Sequence, residues 1–172
     1  TQGYHGFTIV NVTGNASDGR VEAELKCGKL PGGTLLASIR QTAPHRWSYS
    51  AEARFSAPAE LKFIGLTAML PIEAFCGREL LADGKPVVLP KEYAGSRSGS
   101  IFSGRVSTLV IPTMERTITL RGKFDLVLQD DRAYKIDRYV VRIGFTPSSG
   151  SIRESSLKLE IEEKPYTSTT LN

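Results

Sequence analysis

Between residues 115 and 145, apolar and polar side chains alternate with a period of two. Ile118, Leu120, Phe124, Leu126 and Leu128 fall on one parity, and Thr119, Arg121, Lys123, Asp125 and Gln129 on the other. Successive strand side chains point to opposite faces, so this stretch predicts a strand with one buried and one wet face. After a polar turn at Asp130, Asp131 and Arg132, the rhythm resumes at Tyr139, Val141, Ile143 and Phe145. Two long alternating strands joined by a short turn make an antiparallel ladder, and the remaining chain must supply its cover.

The same period recurs elsewhere. Residues 7–12 read as a first strand. In 20–27, Val21, Ala23 and Leu25 alternate with Arg20, Glu22, Glu24 and Lys26. Strands follow at 34–41 and at 47–55, where Trp47, Tyr49, Ala51, Ala53 and Phe55 share a parity. Residues 61–70 are apolar on both parities, which predicts a central strand or one covered on both sides. Residues 71–75 read as a short helical turn with Pro71 at its first position. Residues 79–89 form a hairpin about Asp83-Gly84, a pair suited to a tight turn because both central residues need positive φ. A Gly/Ser-rich loop covers 91–100. Strands at 101–111 and 157–161 complete the set, with the loop 147–150 between the ladder and the last strand.

About a dozen short strands, no amphipathic helix and no internal repeat predict an all-β fold. One open sheet would expose an apolar face, whereas two packed layers bury both inner rows. An antiparallel β-sandwich, with a jelly-roll-like form among its variants, is therefore expected, and a closed barrel comes second. Residues 1–165 form the expected single domain and 166–172 a tail or the start of a linker.

At 172 residues the chain suits one domain, and its 40% hydrophobic and 23% charged content is that of a soluble globular protein. The net charge of +4 is mild and interspersed with acidic residues, so no nucleic-acid footprint stands out. Residues 158–163 are locally acidic. No apolar run approaches the roughly 20 residues that span a bilayer, so a membrane partner is not expected. The chain neither begins with Met nor opens on a basic-then-apolar leader, and a domain cut from a longer protein is expected. Cys27 and Cys76 have no metal-ligand spacing; Cys27 shares the inner parity of Leu25, which predicts a buried free thiol and leaves their pairing open.

Catalytic constellations are absent from the pattern. Glycoside hydrolysis needs two carboxylates flanking a bond. The pair Asp130/Asp131 lies at a turn, where Asp caps backbone amides, and Glu160/Glu162 is expected on a wet strand face. His5 and His45 are the only imidazoles, and no Gly-x-Ser-x-Gly elbow accompanies them. No zinc cluster occurs and no phosphate-binding glycine loop precedes a helix, so no cofactor is expected. A structural calcium ion would find hard oxygen donors at Asp130, Asp131 and Asp137.

Aromatic residues carry the binding hypothesis. Sugar rings present apolar C–H faces rimmed by hydroxyls, so a site pairs an aromatic platform with polar groups. Trp47 stands beside His45, Arg46 and Ser48; Tyr93 and Arg97 lie in the Gly/Ser loop; Arg132 and Tyr134 adjoin the acidic turn. These five are the candidate ligand-binding residues. Trp47 also shares parity with Phe55, which makes core packing its competing role.

The segment Gly122-Lys123-Phe124-Asp125-Leu126-Val127-Leu128-Gln129-Asp130-Asp131-Arg132, with Tyr139-Val140-Val141-Arg142-Ile143, resembles accessory β-sandwich domains of bacterial polysaccharide-degrading proteins. The resemblance covers about a fifth of the chain and brings no functional residue with it. It implies an extracellular or periplasmic setting and a non-catalytic role, carrying a catalytic domain or binding oligo- or polysaccharide beside one. Two other functions fit an all-β chain: a structural or protein-interaction sandwich of adhesin, surface-layer or capsid type, and a small β-fold hydrolase with carboxylates facing across a cleft. A flat apolar patch favours a protein partner, and a groove lined by aromatics favours sugar.

Overall fold

The computed structural model describes residues 8–15, 19–27, 32–95 and 98–165, with Cys27 described for its backbone alone. Eleven antiparallel strands form one hydrogen-bonded network that is not closed into a barrel. They are β1 (Thr8–Asn15), β2 (Arg20–Cys27), β3 (Gly33–Ala43), β4 (Arg46–Leu61), β5 (Gly65–Pro71), β6 (Glu79–Ala82), β7 (Lys85–Val88), β8 (Ser100–Pro112), β9 (Arg116–Asp130), β10 (Arg138–Gly144) and β11 (Gly150–Pro165). The fold is all-β and sandwich-like, as the period-two pattern predicts.

β9 is the strand on which the network divides. One side of it pairs with β8 along its length. On the other side its first part, Arg116 to Arg121, pairs with β11, and its second part, Asp125 to Asp130, pairs with β10. The change of partner falls at Gly122. A Cβ there would stand 2.3 Å from the Lys158 carbonyl oxygen, so the close approach of β11 requires glycine. The same point carries a bulge: Val106 pairs with Phe124 but Thr108 with Arg121, giving β9 one residue more than β8. Inward parity on β8 therefore changes from even at Val106 to odd at Leu109 and Ile111, while β9 keeps its even parity. Asp83 secures the bulge from outside, its carboxylate accepting from the amides of Ser107 and Thr108 at 2.8 Å each.

The core follows from this division. Leu120, Phe124, Leu126 and Leu128 of β9 pack with Tyr139, Val141 and Ile143 of β10, Leu157 and Leu159 of β11, and Ala51, Ala53 and Phe55 of β4. From β4 the sheet continues outward as an up-and-down meander, β4-β3-β2-β1, which ends at β1 among the described residues. Burial fades along it: Leu35 is buried, the described inward residues of β2 are half-buried, and every residue of β1 is exposed.

Asp83 and Gly84 turn β6 into β7 with φ of 49° and 76°, the double positive φ expected of the Asp-Gly pair. Residues 61–70 depart from expectation. Leu61 ends β4, and β5 pairs only with β10, so this segment is an edge strand rather than a central one. Met69 on it is exposed, because apolar character permits burial without enforcing it. The helical turn is Ile72–Phe75, with Pro71 one position earlier than expected, as the cap. Cys76 is an exposed free thiol. The expected tail 166–172 lies outside the described residues.

Replacing Gly122 by Val should destabilise the fold by about 2 kcal/mol or more, since the backbone of β11 at Lys158 would have to shift. Urea unfolding followed by Trp47 fluorescence measures this. An unchanged midpoint would show that β11 does not need the close approach.

Candidate functional site

A concavity of about 610 Å³ opens on the outward face of the meander and β11. Two register rows crossing five strands form its floor. One runs Thr13, Glu22, Ser38, Ser50, Lys158, and the next Asn11, Glu24, Leu36, Glu52, Ser156. All ten residues line the concavity. Four strand spacings make the groove about 19 Å long, running perpendicular to the strands. A neighbouring depression of about 300 Å³ shares Ser38, Ser50 and Lys158, and it extends the groove past Ser48 to Arg121 and Glu160.

The groove exists because of side-chain length. Ser38, Ser50 and Ser156 are short and uncharged, while Arg20, Arg54 and the glutamates beside them rise from the same outward parity. Glu24 is ion-paired with Lys26 at 3.9 Å and Glu52 with Arg54 at 2.6 Å, each cation lying two residues along the same strand. Lys158 makes no ion pair among the described residues. Leu36, 55% exposed, is the apolar element of the floor between Glu24 and Glu52. No aromatic side chain belongs to either row.

Glu24 and Glu52 face each other across Leu36 from strands two positions apart, the arrangement a hydrolase would require. The acid of such a pair needs apolar surroundings that keep its carboxyl protonated. Here both side chains stand in solvent, 38% and 43% exposed, each beside a cation. The geometry supplies hydrogen-bonding groups without an environment for a catalytic acid.

The candidate residues read from sequence lie elsewhere, most of them together. Arg132 and Tyr134 sit on the 3₁₀ turn Asp131–Tyr134 that follows β9. Arg132 grips Asp130 through Nε and Nη2 at 2.9 and 2.7 Å, donates to the carbonyl oxygens of Pro90 and Lys91 at 2.8 Å each, and lies 5.5 Å from the Tyr139 ring centroid. It thereby ties the 91–100 loop to the end of β9. Tyr93 is half-buried in that loop. Tyr134 has its hydroxyl held by Gln129 Nε2 at 3.2 Å while 55% of the residue stays exposed. The same Nε2 donates to the Ser98 carbonyl, and the buried Oε1 finds no donor among the described residues. Arg97 lies outside the described residues.

Trp47 is not part of this cluster. It is half-buried on β4, between Gln41 of β3 and Ile161 of β11. Ile161 in turn pairs with Leu120, ten residues of strand from Asp130, or about 30 Å of β9. Asp130 caps the turn by accepting from the Arg132 amide, and Asp131 is bound by Arg138 at 2.8 Å. Two of the three expected calcium donors are thus committed to arginines. No group of three or more metal-ligating side chains occurs among the described residues.

Glu162 corrects a second expectation. It is buried rather than on a wet face, clasped by Arg46 at 2.7 Å and by Arg121 and Lys164 at 3.2 Å each. Arg46 and Arg121 come from the two strands flanking β11 and Lys164 from β11 itself, so the clasp joins the meander to β9. The Arg46 hydrogen bond, followed by those of Lys164 and Arg121, holds the Glu162 carboxyl below its ordinary value. A hydrogen bond from Ser148, helped by Arg105, does the same for Asp125.

No model of a known protein family matches the chain, and no curated protein matches it in sequence. Among the described residues no helix is long and apolar enough to cross a membrane.

Because both carboxyls titrate lower in the folded state, their stabilisation is complete above the ordinary carboxylate range and is lost as pH falls through the lowered values. The Glu162→Gln variant should therefore unfold at lower urea concentration than wild type at pH 7, with the gap closing below about pH 4. Urea titrations across pH measure this; a gap independent of pH would contradict the charge clasp.

Proposed function

We propose that this chain is a non-catalytic, carbohydrate-binding accessory β-sandwich module of a larger secreted protein that acts on polysaccharides. The observation that carries this reading is the groove across the meander. Its floor of serine hydroxyls, asparagine and threonine matches the hydroxyl-rich rim of a sugar, since each such group both donates and accepts. Leu36 offers an apolar contact for a C–H face, and the flanking carboxylates are charge-assisted acceptors for sugar hydroxyls. A groove about 19 Å long running across strands accommodates several residues of an extended chain. Tyr134, with a pinned hydroxyl and an exposed ring, is a separate platform of the kind the aromatic argument anticipates.

The carboxylates Glu22, Glu24 and Glu52 on the groove floor are each ion-paired, with Arg20, Lys26 and Arg54, so their charge is largely balanced and a neutral glycan fits the floor. Contact through hydroxyls exchanges sugar–water for sugar–protein hydrogen bonds, and each contributes only about 1 kcal/mol net. Affinity is accordingly modest and depends on several sugar units binding at once.

Affinity electrophoresis and calorimetry against a panel of neutral and acidic polysaccharides test the proposal. Retardation by at least one neutral polysaccharide is expected. The Ser38→Arg and Ser50→Arg variants, which fill the groove from its floor, should weaken that binding tenfold or more, while Tyr134→Ala separates the platform from the groove. Failure of every polysaccharide to bind, or binding unaffected by all three variants, would overturn the reading.

A further inference from the structure

We propose that the depression past Ser48 binds an anionic group, a carboxylate or a sulfate ester, with Lys158 and Arg121 as its cations. The identity of the ligand rests on the carbohydrate reading, on which that group is an acidic substituent of the glycan in the groove. The depression, about 300 Å³, lies at the lower end of ligand-pocket volumes. Lys158 lines it from β11 and Arg121 from β9, while Ser38, Ser48 and Ser50 line it from β3 and β4 with neutral hydroxyl donors.

Charge differs between the two ends of the groove. On the floor, Glu22, Glu24 and Glu52 each have a cation of their own. Past Ser48 the balance reverses, because Arg46, Arg121 and Lys164 share the single carboxylate of Glu162. One negative charge offsets one of the three. Lys158 adds a further cation, with no ion pair among the described residues. Glu160 is the opposing carboxylate in the lining; it pairs in register with Arg121 and stands two residues from Lys158. These four cations therefore face two carboxylates, and the surplus is positive with Glu160 counted.

Arg121 is ordered before any ligand arrives. Its Nη1 donates to Glu162 Oε2 at 3.2 Å, and Glu162 is itself buried and gripped at Oε1 by Arg46. A guanidinium carries several N–H donors in a fixed fork, so this contact leaves others for a second acceptor. The Arg121 side chain stays 52% exposed, and being held already it has less rotamer freedom to lose on binding. Charge-assisted hydrogen bonds are roughly twice as strong as neutral ones, so an acidic substituent here outweighs a hydroxyl in the same place.

Amide chemical shifts of the 172-residue chain titrated with sodium sulfate, and affinity electrophoresis against matched polysaccharide pairs, test this. Each pair differs in its acidic group: dextran and dextran sulfate, methyl-esterified pectin and pectate. Millimolar sulfate should shift the amides of Ser48, Arg121 and Lys158 saturably, and the response should weaken when NaCl is raised to about 0.5 M. At least one acidic polysaccharide should bind tenfold or more tightly than its neutral partner, and which one gains distinguishes a sulfate ester from a carboxylate. Lys158→Gln should abolish that preference and Glu160→Gln should raise it severalfold. Lys85→Gln, the same change of charge on β7 at the far end of the strand order, should leave it intact. Sulfate shifts that never saturate, or a preference lowered equally by Lys85→Gln and Lys158→Gln, would mean attraction to overall charge and overturn the proposal. Neutral polysaccharide bound with no gain for either acidic partner would also overturn it, while leaving the carbohydrate reading in place. Saturable sulfate binding with no polysaccharide bound would remove the carbohydrate reading instead and keep the anion site.

Discussion

The exchange of partners along β9 is the constraint on which the rest of the structure depends. A strand that pairs with β11 over its first part and β10 over its second must let two other strands diverge from one side. That divergence splits a single hydrogen-bonded network into layers that can face each other, and the even-parity side chains of β9 fill the space between them. Gly122 allows the close approach, and the adjoining bulge adds twist where the partners change. Without the split, a sheet of eleven strands would present an uncovered apolar face.

The division also explains where the proposed binding groove lies. The layers near β9 are covered and committed to packing, whereas the meander β1 to β4 projects away from them with its outward face open. Its short polar side chains come into line only because the register of four strand pairs places Thr13, Glu22, Ser38, Ser50 and Lys158 side by side. The Glu162 clasp anchors this platform, since its cations reach from β4 and β9 onto β11. The proposed binding surface and the core are therefore separated in space and joined through β11.

Much of the architecture was legible in the sequence because period-two burial leaves a local mark. The alternation at Ile118 to Leu128 and the Asp83-Gly84 turn each depend on neighbours within a few residues. Apolar character on both parities at residues 61–70 points to a central or doubly covered strand, but it is equally compatible with an exposed edge such as that bearing Met69. Glu162 shares the solvent-facing parity of Glu160, and the three cations that bury it come from residues 46, 121 and 164. The groove was invisible for the same reason. Serines on the polar parity of β3 and β4 were a signal, but the rows they complete join strands more than a hundred residues apart in sequence. Arg132 and Tyr134 share one turn and Arg132 reaches the start of the loop that bears Tyr93, but Arg132 spends its donors on Asp130, Pro90 and Lys91.

Stability in this account is graded from β9 outward, and native-state hydrogen exchange at micromolar protein concentration tests that gradient most directly. Amides of β9 facing β10 and β11 should exchange only through global unfolding, those of β3 and β4 more readily, and those of β1 and β2 through local opening with little denaturant dependence. Equal protection of β1 and β9, or early opening of β9, would contradict the claim that the partner exchange on β9 organises the fold.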